Sequence, residues 1–174
     1  DGEGISARMA TLLDGDHRRI LGLFSLMLTI GGTPVIYHGD EFALQNDEAH
    51  RELSAERTGW DDSRFLLRAP IPWEQVEAYL LDPRSPAFKV YEGLRAMLLL
   101  RRRLPGLLGG ERRFLEIDPR VAAYSRGSGH EEVTVLINLS GDEVAVDVDG
   151  VDLLSGRSGT LAPYEYRWLA TPNL

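Results

Sequence analysis

The sequence contains no cysteine. That excludes disulfides, thiolate catalysis and zinc–thiolate sites, and it fits a cytoplasmic protein, the expected location. A long apolar run is also missing. The longest such stretch, residues 20–30, is broken by Gly22, Ser25 and Thr29 and is too short to span a bilayer. No secretory signal precedes it. There is no excess of basic charge: 19 basic residues stand against 27 acidic ones, for a formal net charge of −8. Residues 1–105 hold 13 basic and 16 acidic side chains, and residues 106–174 hold 6 and 11. Neither part carries the basic footprint of a nucleic-acid binder. The expected partners therefore include neither nucleic acid nor membrane. His17, His38, His50 and His130 lack metal-ligand spacing, so no metal and no cofactor is expected. Asp47-Glu48 is one acidic pair without the oxygen-rich loop that calcium requires.

What is present suffices for a packed core. The chain has 174 residues, of which 43% are apolar, enough for one ordinary domain or two small ones. Asp14-Gly15-Asp16 offers N-cap oxygens. Ile20, Leu23, Phe24, Met27 and Leu28 then recur at helical spacing, and Gly31-Gly32 ends the helix. Pro34-Val35-Ile36-Tyr37 reads as an interior parallel strand covered on both faces. A long polar loop follows, with a short helix expected over 48–57. Ser85-Pro86 starts another helix, with Phe88, Tyr91, Leu94, Met97 and Leu98 as its stripe. Arg101-Arg102-Arg103 falls in its last turn, where cations complement the helix end.

After residue 110 the period changes to two. Val133, Val135, Ile137 and Leu139 alternate with Thr134, Leu136 and Asn138. The set Val144, Val146 and Val148 alternates likewise, as do Tyr164, Tyr166 and Trp168. Turns at Asp118-Pro119, Gly127-Ser128-Gly129, Ser140-Gly141-Asp142 and Ser155-Gly156 separate these runs. The pattern predicts an antiparallel sandwich. A lone parallel strand flanked by helices needs partners for its backbone groups, and the chain offers no second strand of that kind. The chain also starts Asp1-Gly2-Glu3-Gly4, without methionine, which suits an excised or processed piece.

The string Gly32-Thr33-Pro34-Val35-Ile36-Tyr37-His38-Gly39-Asp40-Glu41 resembles the eighth barrel strand of the alpha-amylase superfamily. Asp16-His17-Arg18-Arg19-Ile20 resembles its seventh helix, and Leu161-Ala162-Pro163-Tyr164-Glu165 resembles part of the β-sandwich called domain C. Leu44-Gln45-Asn46-Asp47 and Asp61-Asp62-Ser63-Arg64-Phe65-Leu66-Leu67-Arg68-Ala69-Pro70 resemble amylosucrases and related sucrose-acting enzymes. Gln45, Phe65 and the Leu67-Arg68-Ala69-Pro70 run depart from their pattern. Arg68, Pro70 and Trp73 are spaced as in alpha-glucosidases and trehalose synthases.

The resemblance implies an α+β fold. Residues 1–105 would be the C-terminal segment of a TIM-type (β/α) barrel, its last strand and flanking helices with a substrate-side loop. Residues 106–174 would be an all-β antiparallel sandwich. The parent would be a retaining alpha-glucoside hydrolase or glucosyltransferase, amylosucrase-like, with sucrose as a candidate substrate. Trehalose synthase or alpha-glucosidase is the alternative parent. A further alternative is a glucan-binding sandwich that stacks sugar on Tyr164, Tyr166 and Trp168. The family's nucleophile, acid/base and third carboxylate would all lie upstream of Asp1. No catalytic residue is therefore assigned, and the chain alone is expected to be inactive. Arg68 is the first candidate for pocket closure and Arg64 the second, with Asp40 and Glu41 as candidate sugar contacts. The expected partners are an alpha-glucoside or sucrose in the full-length enzyme, the missing barrel portion, and other copies of the chain through an uncovered apolar face.

Overall fold

A computed structural model describes residues 6–170; the Asp1-Gly2-Glu3-Gly4 start lies outside them. The helices are α1 (Met9–Leu12), α2 (His17–Thr29), α3 (Glu48–Thr58), α4 (Trp73–Leu80), α5 (Pro86–Arg101) and α6 (Pro105–Gly109). The strands are β1 (Arg112–Phe114), β2 (Val121–Arg126), β3 (Val133–Asn138), β4 (Val151–Asp152) and β5 (Tyr166–Ala170). Two compact units form. One comprises the chain through Ile20 together with Ile36–Tyr91; the other comprises Leu21–Val35 and everything from Glu92 onward. The chain passes from unit to unit inside α2 and again inside α5.

The first unit is helical. Asp47 caps α3 by accepting from the His50 N–H at 2.8 Å, so the acidic pair Asp47-Glu48 starts a helix. Ser85 caps α5 in the same way, its Oγ accepting from Phe88 N–H at 3.0 Å. Phe42 stacks on Tyr91 and meets Trp73 edge-on, with ring centroids 5.8 and 5.9 Å apart.

The second unit is built on one antiparallel sheet in the order β1-β2-β3-β5-β4. Register places Tyr124 beside Val135 and Val135 beside Trp168. These side chains share one sheet face, and the Leu21–Thr29 half of α2 covers it. Trp168 Nε1 donates to Ser25 Oγ at 2.8 Å. Thr29 Oγ1 donates to the Ser25 carbonyl and lies 2.6 Å from the Tyr124 hydroxyl. Ser25, Thr29 and Trp168 are fully buried. The polar residues that interrupt the apolar stretch are thus the partners of the sheet's two large polar-tipped rings.

The opposite face carries Val121, Ala123, Leu136 and Leu169, packed with Val144 and Leu161. The predicted strand over 144–148 is absent here. A single bridge, Val144 to Leu161, marks its place. The expected sandwich is therefore one sheet with a coil as its second layer. Side chains tie that coil down. Arg167, 2% exposed, donates to the carbonyls of Gly159 and Thr160, and Asn138 Nδ2 donates to those of Asp142 and Ala162. Backbone groups so satisfied need no ladder.

Two other expectations change. Residues 34–37 form no strand, and Val35 is 74% exposed, because no parallel partner exists among the described residues. On α5 the buried face is Ala87, Val90, Leu94 and Met97, leaving Tyr91 and Leu98 exposed. Apolar residues lie on both sides of this helix, so spacing alone does not select the inner stripe.

Ser25→Ala should leave the Trp168 indole N–H buried without an acceptor and cost about 1–3 kcal/mol. Urea denaturation measures this. Adding Trp168→Phe should cost less than the sum of the two single changes.

Candidate functional site

The Gly39-Asp40-Glu41 turn is organised by a residue that carries no recognisable sequence signal, Arg8. It precedes the four-residue α1 and is 3% exposed. Its guanidinium donates to the His38 carbonyl at 2.9 Å, to Asp40 Oδ1 at 3.1 Å and to the Leu67 carbonyl at 2.8 Å. Its backbone N–H donates to Asn46 Oδ1 at 2.8 Å. The planar fork suits three acceptors from two separate chain segments. Arg8 thus clamps the end of the Gly-rich string to both the start and the end of the long polar loop.

Asp40 and Glu41 sit in a 3-10 turn, Asp40–Phe42, rather than on a strand. Gly39 enters this turn with φ +92°, and its missing Cβ would lie 2.9 Å from Arg8 Nη1. Burial pushes the Asp40 carboxyl above its ordinary 3.8, and Arg8 offsets part of that rise. Glu41 Oε2 accepts from the Gly39 N–H at 2.6 Å. Both carboxylates are engaged in holding the turn.

Arg64 belongs to a local device that occurs four times. In Asp16-His17-Arg18, Asp62-Ser63-Arg64, Asp82-Pro83-Arg84 and Asp118-Pro119-Arg120 the aspartate accepts from the backbone N–H and the side-chain Nε of the arginine two residues on. For Asp62 and Arg64 both distances are 2.9 Å. The Arg64 guanidinium also lies over the Trp60 ring at 5.7 Å. Arg68, at the end of the Ser63–Leu67 turn, is exposed, and none of its side-chain nitrogens makes a hydrogen bond or ion pair among the described residues.

A cleft of about 740 Å³ lies in the first unit, lined by Arg8, Phe42, Gln45, Asn46, Asp47 and Tyr79 among others. None of Asp40, Glu41, Arg64 and Arg68 lines it. Arg8 and Asn46 are common to the cleft and the clamp. No group of three acidic or histidine side chains among the described residues could hold a metal ion, and no helix there is long and apolar enough to cross a membrane. The aromatic set considered for sugar stacking loses its centre, because Trp168 is wholly inside the second unit.

With this geometry in place, the relatives are informative. No protein-family model matches the chain. It is 29% identical over 158 residues to a cyclomaltodextrinase of Geobacillus thermopakistaniensis, covering 86% of this chain and 23% of that protein. It is 30% identical to a trehalose synthase of Thermus thermophilus, covering 83% and 17%. A probable alpha-glucosidase of Rhizobium meliloti is also 30% identical, covering 74% and 27%. Solved structures with the same fold include a maltogenic amylase from S. marinus, with TM-score 0.70, 17% identity, and coverage of 98% and 22%. The trehalulose synthase MutB from Pseudomonas mesoacidophila MX-45 matches with TM-score 0.62, 19% identity, and coverage of 88% and 38%. These relatives and neighbours are alpha-amylase-family enzymes, and the structural neighbours are TIM barrels. The chain belongs to the alpha-amylase family, and it spans about a quarter or less of the three relatives' length.

Two measurements test the clamp and the fork. Arg8→Met should strip the partly buried Asp40 of its counter-charge and leave two carbonyls without their donor, destabilising the protein by roughly 1–3 kcal/mol, as read by urea denaturation. Asp62 is held down to about 2, chiefly by its side-chain bond to Arg64 and then by the Arg64 backbone N–H. A folded value below the unfolded one stabilises the protein above the ordinary 3.8, and this contribution is lost as pH falls through 2. Carboxyl NMR should find the low midpoint, and Arg64→Ala should return it toward 3.8. A midpoint already at 3.8 in the unsubstituted chain would show that the fork does not form.

Proposed function

We propose that this chain is the C-terminal part of a retaining alpha-glucoside-acting enzyme that hydrolyses or transfers glucosyl groups, with sucrose among its candidate donors. The observation that carries the reading is the Arg8 clamp. It seats the Gly39-Asp40-Glu41 turn beside the loop end at Leu67, next to Arg68, whose side chain is exposed and makes no hydrogen bond or ion pair among the described residues. A guanidinium so placed can fork two hydrogen bonds to sugar hydroxyls or to a carboxylate from another part of the enzyme. Arg68 is accordingly the pocket-closing candidate. Arg64, already forked to Asp62, comes second, and Asp40 and Glu41 shape the rim.

Retaining chemistry needs a nucleophile and an acid/base carboxyl roughly 5 Å apart. Neither role is assigned within these 174 residues, and the chain by itself is proposed to be inactive. The rest of the barrel is its natural partner. Val35 at 74% and Tyr37 at 41% exposure support the proposal that this segment pairs with that portion, or with a second copy when it is missing.

A trehalose-synthase or alpha-glucosidase parent is the second reading. The relatives of those names, each 30% identical, favour it, as does the spacing of Arg68, Pro70 and Trp73.

In the full-length enzyme, Arg68→Ala should lower kcat/KM on the preferred alpha-glucoside about ten- to a hundredfold. Assays on sucrose, maltose and trehalose read this loss and assign the donor together. Unchanged kinetics would remove Arg68 from the site, and inactivity of the full-length enzyme on every alpha-glucoside would overturn the proposal itself.

A further inference from the structure

The C-terminal end of α2 carries an uncompensated concentration of positive charge. Arg101 Nε donates to the Leu28 carbonyl at 2.7 Å. Arg112 Nη1 and Arg126 Nη1 both donate to the Ile30 carbonyl, at 2.8 and 3.0 Å. One cation at a helix C-terminus is ordinary, since the last carbonyls carry partial negative charge. Three exceed what about half an elementary charge can balance. Two of them share a single oxygen, which brings like charges together. None of the three makes an ion pair with a carboxylate among the described residues. Arg113, next along β1, does find one, bridging Glu132 at 3.1 Å.

A second observation points the same way. Arg126 is 7% exposed, and its Nε is the one buried side-chain nitrogen or oxygen among the described residues without a hydrogen-bond partner. A buried guanidinium N–H without an acceptor is costly. The surroundings fix the guanidinium groups while leaving donors to spare. Gly31, at φ +118°, has no side chain, and the Arg126 guanidinium occupies the space where a Cβ would sit. Arg112 lies over the Phe114 ring at 5.0 Å, so the ring covers its face and its edge donors remain available.

We propose that Arg101, Arg112 and Arg126 form a binding site for a small tetrahedral oxyanion, of which inorganic phosphate is the simplest. Such an ion presents several acceptor oxygens to converging guanidinium edges. Its negative charge offsets the repulsion. The site lies wholly within the second unit and is independent of the sugar-site reading.

The test is a phosphorus-31 NMR titration of the 174-residue chain with inorganic phosphate, at ionic strength held constant with chloride. Saturable broadening of the phosphate resonance, reversed by sulfate, is expected. Arg112→Gln retains a donor for the Ile30 carbonyl but removes the charge, and it should weaken binding about tenfold or more. Arg126→Met should abolish binding, with circular dichroism checking that the chain is folded. Should that variant fail to fold, the exposed Arg112→Gln change still decides the matter. Broadening absent from the unsubstituted chain, or equal in Arg112→Gln, would overturn the proposal. Binding of phosphate unaffected by sulfate would restrict the site to phosphate-bearing ligands and overturn the broader oxyanion class.

Discussion

The second unit depends on satisfying two large polar-tipped rings inside a dry layer. Tyr124 and Trp168 bring most of the apolar surface on one face of the sheet, and each also brings a hydrogen-bond donor that water cannot reach. Ser25 and Thr29 on α2 supply the partners. Their spacing, four residues apart, sets both oxygens on the same side of the helix, facing the same sheet face. Without them, burying these rings would leave unpaired donors, and the apolar gain would be largely cancelled. That is why two hydroxyls stand in the otherwise hydrophobic Leu21–Thr29 half of the helix, and why that half groups with the sheet.

Arginine does comparable work elsewhere, at two ranges. Locally, the Asp-x-Arg fork recurs at four turns, and each copy is closed by residues adjacent in sequence. At long range, Arg8 joins two segments that lie 30 or more residues away from it, at His38–Asp40 and at Leu67, and Arg167 holds a coil against the sheet. The contrast bears directly on the candidate sugar site. Arg64 and Arg68 look equivalent as loop arginines, but one is closed on a neighbour and the other is open. The difference arises because Asp62 stands two residues before Arg64, whereas Ala69, Leu66 and Pro70 around Arg68 offer no side-chain acceptor.

Much of the architecture was legible in the chain. A helix over 48–57 is expected where α3 lies, the α5 start follows from Ser85-Pro86, the end of α2 from Gly31-Gly32, and β3 and β5 from alternation and turn residues. The family resemblance was carried by residues 32–41, and relatives by sequence and by structure agree with it at that level. Less legible was anything that depends on which groups meet. Residues 34–37 have strand composition but no strand to pair with. Residues 144–148 alternate like a strand, yet hydrogen bonds from Asn138 and Arg167 anchor the surrounding coil without a ladder. Arg8 could not be found from spacing, because its acceptors are two backbone carbonyls and a carboxylate in distant segments.

The sequence by itself determined the succession of helical and then strand segments, the positions of α2, α3, α5, β3 and β5, and the family resemblance, because these rest on periodicity, caps and a contiguous string of residues. Only the tertiary structure decided the role of each polar side chain. It made Ser25 and Thr29 core partners, placed Trp168 inside, engaged Asp40 and Glu41 in their own turn, and left the Arg68 side chain and the Arg126 Nε without a hydrogen-bond acceptor among the described residues. The physical reason is that a hydrogen bond is a relation between two groups, and here the second group is usually far away along the chain.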